Sequence, residues 1–335
     1  MSKAAVIGAG SWGTTVASLL ADRLETVIWS RSSEIATEIV EHSTNRAYLG
    51  EHVLSRQLRA DTSLEQVLDG ADLVITAVPS HGLRDTIAGS QPQAGAVVLS
   101  VAKGLEQGTH LRMSEVIAEC WPDHPIGVLT GPNLAPEVLD GQPTASVIAF
   151  NDEDIARELQ ALFGSESLRI YTNRDVVGCE VAGVVKNVMA IASGMAVGLG
   201  FGDNTRAALI TRALAELSRL GIALGGEQLT FAGLAGVGDL VATCTSSKSR
   251  NYLVGVALGR GKTLAEATGN TRMVAEGVRS SGPVVELAEL VGVEVPVAEQ
   301  VYAVCHLGRS PKETIPSLMR RASKSEFDGF LTTPN

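Results

Sequence analysis

Residues 4–21 read AAVIGAGSWGTTVASLLA, a run without a single charge. Its length suits a membrane span or the apolar part of a signal peptide, but hydrocarbon is a poor place for so many Gly, Ser and Thr. The run parses better as a strand, Ala4–Ile7, a turn, and a helix, Ser11–Asp22. The turn, Gly8-Ala9-Gly10-Ser11-Trp12-Gly13, fits G-x-G-x-x-G. In that setting Gly8 allows the tight bend, Gly10 lets the backbone approach a pyrophosphate, and Gly13 lets helix and strand pack closely. The helix N-terminus adds free N–H groups and partial positive charge. A glycine-rich turn with no ligand has the same spacing; the strand before it and the helix after it favour a bound dinucleotide. Trp12 is either a packing residue or a plane against which the dinucleotide rests.

The next strand, Thr26–Ser30, decides which dinucleotide. Domains that take NAD usually end this strand with an acid on the ribose hydroxyls. Here the chain runs into Ser30-Arg31-Ser32-Ser33. Arg31 is either a surface residue of the turn or the partner of a 2′-phosphate. The expected cofactor is NADP(H) by preference, with NAD(H) also accepted.

Further outward, β-branched runs at Leu73–Val78, Val97–Val101, Ile126–Leu129, Ser146–Phe150 and Leu168–Tyr171 alternate with helical patterns at Glu34–Glu41, Leu111–Cys120 and Asp152–Phe163. This alternation predicts an α/β fold, a Rossmann-type, mostly parallel sheet covered on both faces, over residues 1–173. From 174 to 335 the pattern becomes all-helical: Val176–Leu199, Ala207–Leu220, Arg250–Leu258, Val284–Leu290 and Val297–Leu307. The uncharged run Asn187–Gly202 is too short to span a membrane.

Composition narrows the function. The 335 residues carry a net charge of −10, which argues against a protein that neutralises nucleic-acid phosphates. Cys120, Cys179, Cys244 and Cys305 are scattered singles, read as buried small hydrophobes rather than metal ligands or redox pairs. A soluble cytoplasmic protein with no membrane span, no targeting segment and no metal is expected.

A nicotinamide cofactor implies hydride transfer, and the carbonyl oxygen then needs a proton partner. None of the four tyrosines has Lys four residues later, so the Tyr-x-x-x-Lys pair is absent. Lys186-Asn187 interrupts an apolar helix, among Val184, Val185, Val188 and Met189. A lysine there either reaches solvent, pairs with Glu180, or is buried for chemistry. Lys103 and Gly131-Pro132-Asn133 follow strands at their C-terminal ends, where ligands of open α/β sheets collect. Ala235–Cys244 reads as a glycine-dense loop carrying Asp239, and Ser249-Arg250-Asn251 starts a helix able to meet an anion.

Together these stretches closely resemble the bacterial-type NAD(P)-dependent glycerol-3-phosphate dehydrogenases. The matching blocks are GAGSWGTTVA, ITAVPSH, SVAKGLE, GPNLAPE, VVKNVMAIASGMAVGLGFGDNTRAALITR, GLAGVGDLVATCTSSKSRNY and VAEGVRSS. The resemblance implies cofactor contacts from Ser11, Trp12, Arg31, Ala135, Val274 and Glu276 beside the loop glycines, with Lys103 and Arg250 also near the cofactor. It implies substrate contacts from Lys103, Gly131, Asn133, Lys186, Asn187, Asp239, Ser249, Arg250 and Asn251. The implied reaction is reduction of dihydroxyacetone phosphate to sn-glycerol 3-phosphate, by a homodimer serving glycerophospholipid synthesis. Lys186 would be the proton donor, with burial and the like charge of Lys103 easing loss of its proton. The family pattern GPSFAKE is GPNLAPE here, and Pro136 leaves the geometry before Glu137 in question because it lacks an N–H.

Overall fold

The computed structural model describes residues 1–269 and 275–320. The chain divides into two units, Met1–Val176 and Val177–Asn335.

The first unit is built on one sheet. Its strands are β1 (Lys3–Ile7), β2 (Glu25–Trp29), β3 (Arg59–Asp61), β4 (Leu73–Thr76), β5 (Val97–Ser100), β6 (Ile126–Thr130), β7 (Thr144–Ala149) and β8 (Leu168–Asn173), in spatial order β3-β2-β1-β4-β5-β6-β7-β8. Every pair is parallel except β6–β7, so the sheet is mostly parallel, as expected. The first connection runs from β1 outward to β2, and the chain later returns to β1's other side as β4. This reversal opens a crevice at the C-terminal ends of β1 and β4, where α/β sheets bind ligands. Ile7 stands in register with both Trp29 and Thr76, so three strands deliver their loops at one level.

Helices α1 (Ser11–Ala21), α2 (Ser33–His42), α3 (Arg46–Leu49), α4 (Leu64–Leu68), α5 (Leu83–Ile87), α6 (Met113–Cys120), α7 (Ala135–Leu139) and α8 (Glu153–Phe163) connect the strands. Successive strand residues point to opposite faces, so Val6, Ile75 and Leu99 join one apolar cluster and Ile7, Val74 and Val98 the other. Strand β3 was not expected. It is three residues long, begins and ends on a charge, and gains its identity only by pairing with β2 at the sheet edge.

The second unit is helical: α9 (Val176–Gly198), α10 (Asp203–Ala223), α11 (Gln228–Ala232), α12 (Asp239–Thr245), α13 (Arg250–Gly259), α14 (Leu264–Thr268), α15 (Glu276–Leu290), α16 (Pro296–His306) and α17 (Thr314–Met319). Helix α9 is long and apolar enough to cross a bilayer, longer than its uncharged run suggested, because it continues on both sides of Lys186. Of its most apolar window, 89% is buried inside the protein, so it is a core helix.

Helices α9 and α13 touch backbone to backbone. A Cβ on Gly194 would stand 2.1 Å from the Tyr252 carbonyl oxygen, and one on Gly255 would stand 2.1 Å from that of Ile191. Gly198 and Gly259 repeat the arrangement one turn on. This seam fixes α13 alongside α9 and brings Asn251 against Asn187. The stretch read as a glycine-dense loop is helical instead. Leu234–Gly238 forms a π-helical turn that runs straight into α12, and Gly236 lies so close to the Phe231 backbone that a Cβ would meet its oxygen at 2.1 Å.

Candidate active site

The dinucleotide loop has the expected construction. Gly8 lies at φ +118, and a Cβ on Gly13 would meet the Gly8 oxygen at 2.1 Å. Gly10 differs: its missing Cβ faces open space, with no atom within 4 Å. Gly10 is also the N-cap of α1 and offers no side-chain partner to the helix's first N–H groups. An uncapped eleven-residue helix behind an open glycine fits an anionic pyrophosphate. Trp12 packs against the apolar core while staying partly exposed, and its indole N–H is buried without a partner among the described residues. Ser11 donates to the Tyr48 carbonyl at 3.0 Å.

Arg31 is exposed just beyond β2, next to Ser32, which caps α2 by accepting from the Ile35 N–H. It makes no hydrogen bond or ion pair among the described residues. Lys103, Gly131 and Asn133 come together at the ends of β5 and β6. The Lys103 Nζ lies 3.3 Å from the Gly131 oxygen and 3.4 Å from Asn133 Oδ1, while Asn133 Nδ2 donates to Ser146 Oγ. Pro136 resolves simply: it sits in the first turn of α7, where a helix N–H has no intrahelical partner anyway. Ala135 opens that helix and is buried.

In the second unit Lys186 is buried, only 6% exposed, and does not reach solvent. Its Nζ donates to Asp239 Oδ1 at 2.5 Å and to Thr243 Oγ1 at 2.8 Å. Asp239 and Thr243 stand one turn apart on α12, so the Thr243 hydroxyl also reaches Asp239 Oδ1 at 3.2 Å. A carboxylate at this distance offsets the cost of burying the lysine's charge. Beside the pair, burial pushes the Cys244 thiol up to about 12, so it stays protonated and inert. Thr243 was missed as a site residue, although its i+4 spacing from Asp239 was visible.

Asn187, next on α9, has its oxygen taken by Asn251 Nδ2 at 3.0 Å, and Asn251 Oδ1 in turn accepts from the Gly277 N–H at 3.0 Å. The chain of bonds fixes both amide orientations and leaves the Asn187 NH2 for an oxygen-rich ligand. Ser249 caps α13 by accepting from the Tyr252 N–H, and Arg250, exposed, opens the helix. Glu276 opens α15, and Val274 lies outside the described residues.

The chain is similar to known proteins over nearly its whole length. The family model of the NAD-dependent glycerol-3-phosphate dehydrogenase N-terminus matches residues 3–156, and that of the C-terminus matches residues 175–316. A glycerol-3-phosphate dehydrogenase (NAD(P)+) of Corynebacterium jeikeium is 48% identical over 332 residues, covering 97% of this chain and 100% of its own. One of Thermobifida fusca is 49% identical over 335 residues, covering 98% and 100%. The crystal structure of glycerol-3-phosphate dehydrogenase from Coxiella burnetii superposes with a TM-score of 0.91 at 36% identity, covering 96% of this chain and 99% of that one. With near-complete coverage at that identity, the chain belongs to the NAD-dependent glycerol-3-phosphate dehydrogenase family.

Proposed function

We propose that this chain catalyses the reversible reduction of dihydroxyacetone phosphate to sn-glycerol 3-phosphate, with NADP(H) preferred and NAD(H) accepted. The observation that carries the reading is Lys186, a buried ammonium held by Asp239 and Thr243 beside an amide that presents its NH2. The reduced nicotinamide supplies the hydride when bound. Lys186 gives a proton to the oxygen that becomes the C2 hydroxyl, and Asp239 holds the ammonium in place until then. The Asn187 NH2 donates to a substrate oxygen. Arg250, Ser249 and Asn251 hold the phosphate at the start of α13.

Residues 1–173 carry the nucleotide and 174–335 the substrate and the proton donor. Gly8, Gly10, Ser11 and Gly13 cradle the pyrophosphate, Trp12 backs that loop, and Arg31 meets the 2′-phosphate. The family resemblance adds Lys103, Gly131 and Asn133 to the substrate contacts, and Lys103, Ala135, Arg250, Val274 and Glu276 to the cofactor contacts. The enzyme acts as a cytoplasmic homodimer, and its product serves as the backbone of glycerophospholipids. The net charge of −10 supports small-molecule partners rather than nucleic acid. A spectrophotometric assay tests the activity: dihydroxyacetone phosphate should oxidise NADPH, and unphosphorylated dihydroxyacetone should not. Equal rates with both, or turnover only with a branched 2-keto acid such as ketopantoate, would overturn the substrate assignment.

A further inference from the structure

Asn45 lies 36 residues beyond Ala9 of the dinucleotide loop and is completely buried beneath it. Its Nδ2 donates to the Ala9 carbonyl at 3.0 Å and to Thr14 Oγ1 at 2.9 Å. The carbonyl can only accept, so the amide orientation is settled by chemistry. Asn45 Oδ1, by contrast, is buried with no partner among the described residues. An unpaired buried acceptor costs free energy, so what the residue contributes here is its two donors. The segment is itself anchored. Thr44 Oγ1 and the Arg46 N–H both donate to Glu38, and the Leu49 N–H closes a turn on the Asn45 carbonyl.

The bond to Ala9 has a consequence for its neighbour. No peptide bond among the described residues is cis, and in a trans peptide the carbonyl of one residue and the N–H of the next point in opposite directions. Holding the Ala9 oxygen down on Asn45 therefore turns the Gly10 N–H to the other side of the loop. Gly10 is the residue whose missing side chain leaves open space. We propose that Asn45 is a positioning residue for the cofactor: it sets the Ala9–Gly10 peptide so that the Gly10 N–H faces the pyrophosphate. The inference rests on the dinucleotide-binding reading above, but not on the identity of the substrate.

NADPH and NADH both carry the pyrophosphate, so the effect must be the same for both. Calorimetric titration of Asn45→Asp, which keeps the shape and loses both donors, should show each cofactor weakened by about tenfold, the worth of one buried hydrogen bond. Thr14→Val removes the other acceptor and leaves the Ala9 bond; it should lower the melting temperature with cofactor affinity unchanged. Unchanged affinity in Asn45→Asp, or weakening of NADPH alone, would overturn the proposal. If Asn45→Asp does not fold, the wild-type protein still decides. Titration with NADPH should move the Gly10 amide resonance among the largest shifts while the Asn45 side-chain amide signals persist, and an unmoved Gly10 refutes the role. A wild-type protein that binds NADPH but ignores dihydroxyacetone phosphate would remove the substrate reading and leave this inference standing.

Discussion

The dinucleotide loop and the Lys186 pocket solve opposite problems. The loop meets charge with backbone alone: an open glycine, an uncapped helix and no ionised side chain between Ala4 and Ala21. The pocket places two full charges in the interior, Lys186 and Asp239, within 2.5 Å of each other. Backbone dipoles keep their strength whatever their surroundings titrate to, and they suit a permanent polyanion. The proton donor proposed at Lys186 has to change its charge, so it needs a side chain and a partner that tolerates both states. The difference teaches where each region is fragile: the loop in its geometry, the pocket in its charge balance.

The largest expected effect breaks that balance. Methionine matches lysine in length, and from the sequence alone Lys186→Met looks harmless to the fold. In the structure it takes from the buried Asp239 carboxylate the cation bonded to it at 2.5 Å. Removing one partner of a buried pair typically costs about 3–5 kcal/mol. Denaturant unfolding should show a loss of that order in Lys186→Met and recovery of most of it in Lys186→Met/Asp239→Asn. A single variant as stable as wild type would mean that the pair is not buried as described.

On the nucleotide side the effects should be smaller and should leave stability alone. Arg31 is exposed and unpaired among the described residues, so Arg31→Ala removes only what it gives the ligand. It should weaken NADPH by about 1–3 kcal/mol, the range for a charged hydrogen bond, and NADH far less. Equal weakening of both would move the 2′-phosphate elsewhere.

A third buried ionisable side chain sharpens the comparison at its weak end. Glu216 on α10, 2% exposed, accepts from the Val297 and Ala298 N–H groups at the start of α16. It has backbone partners like the anion at the loop, but a buried position like the pocket. Burial dominates and pushes its carboxyl up to about 8. Its folded value lies above its unfolded one, so its stabilising contribution is full below about 4.5 and is lost as pH rises through about 8. Glu216→Gln should remove that slope. The melting-temperature difference between wild type and variant should drift against the wild type from pH 5 to pH 8, and a constant difference would reject the assignment.

Much of this was legible in the sequence because it is local. G-x-G-x-x-G between a strand and a helix announces itself, and so does a lysine in an apolar helix. What could not be read depends on partners far along the chain. Asp239 is 53 residues from Lys186, and only the packing of α12 brings them together. Gly194 and Gly198, like Gly255 and Gly259, stand four apart in plain view, but nothing in either helix names the other as its mate. The π-helical turn at Leu234–Gly238 looked like a loop because three of the residues from Gly233 to Gly238 are glycine, which argues against helix unless close contacts demand it. Asn45 reads as an ordinary turn asparagine until its amide is seen on the Ala9 carbonyl.

The central claim is that the Lys186 ammonium is there for the reaction and not for the fold. Turnover of Lys186→Met/Asp239→Asn, measured with its stability and its NADPH affinity, tests this most directly, because the double change removes the buried carboxylate together with its cation. The account predicts a folded protein that binds NADPH normally and reduces dihydroxyacetone phosphate about two to four orders of magnitude more slowly than wild type. A folded double variant that turns over within about tenfold of wild type, less than general acid catalysis is ordinarily worth, would contradict it.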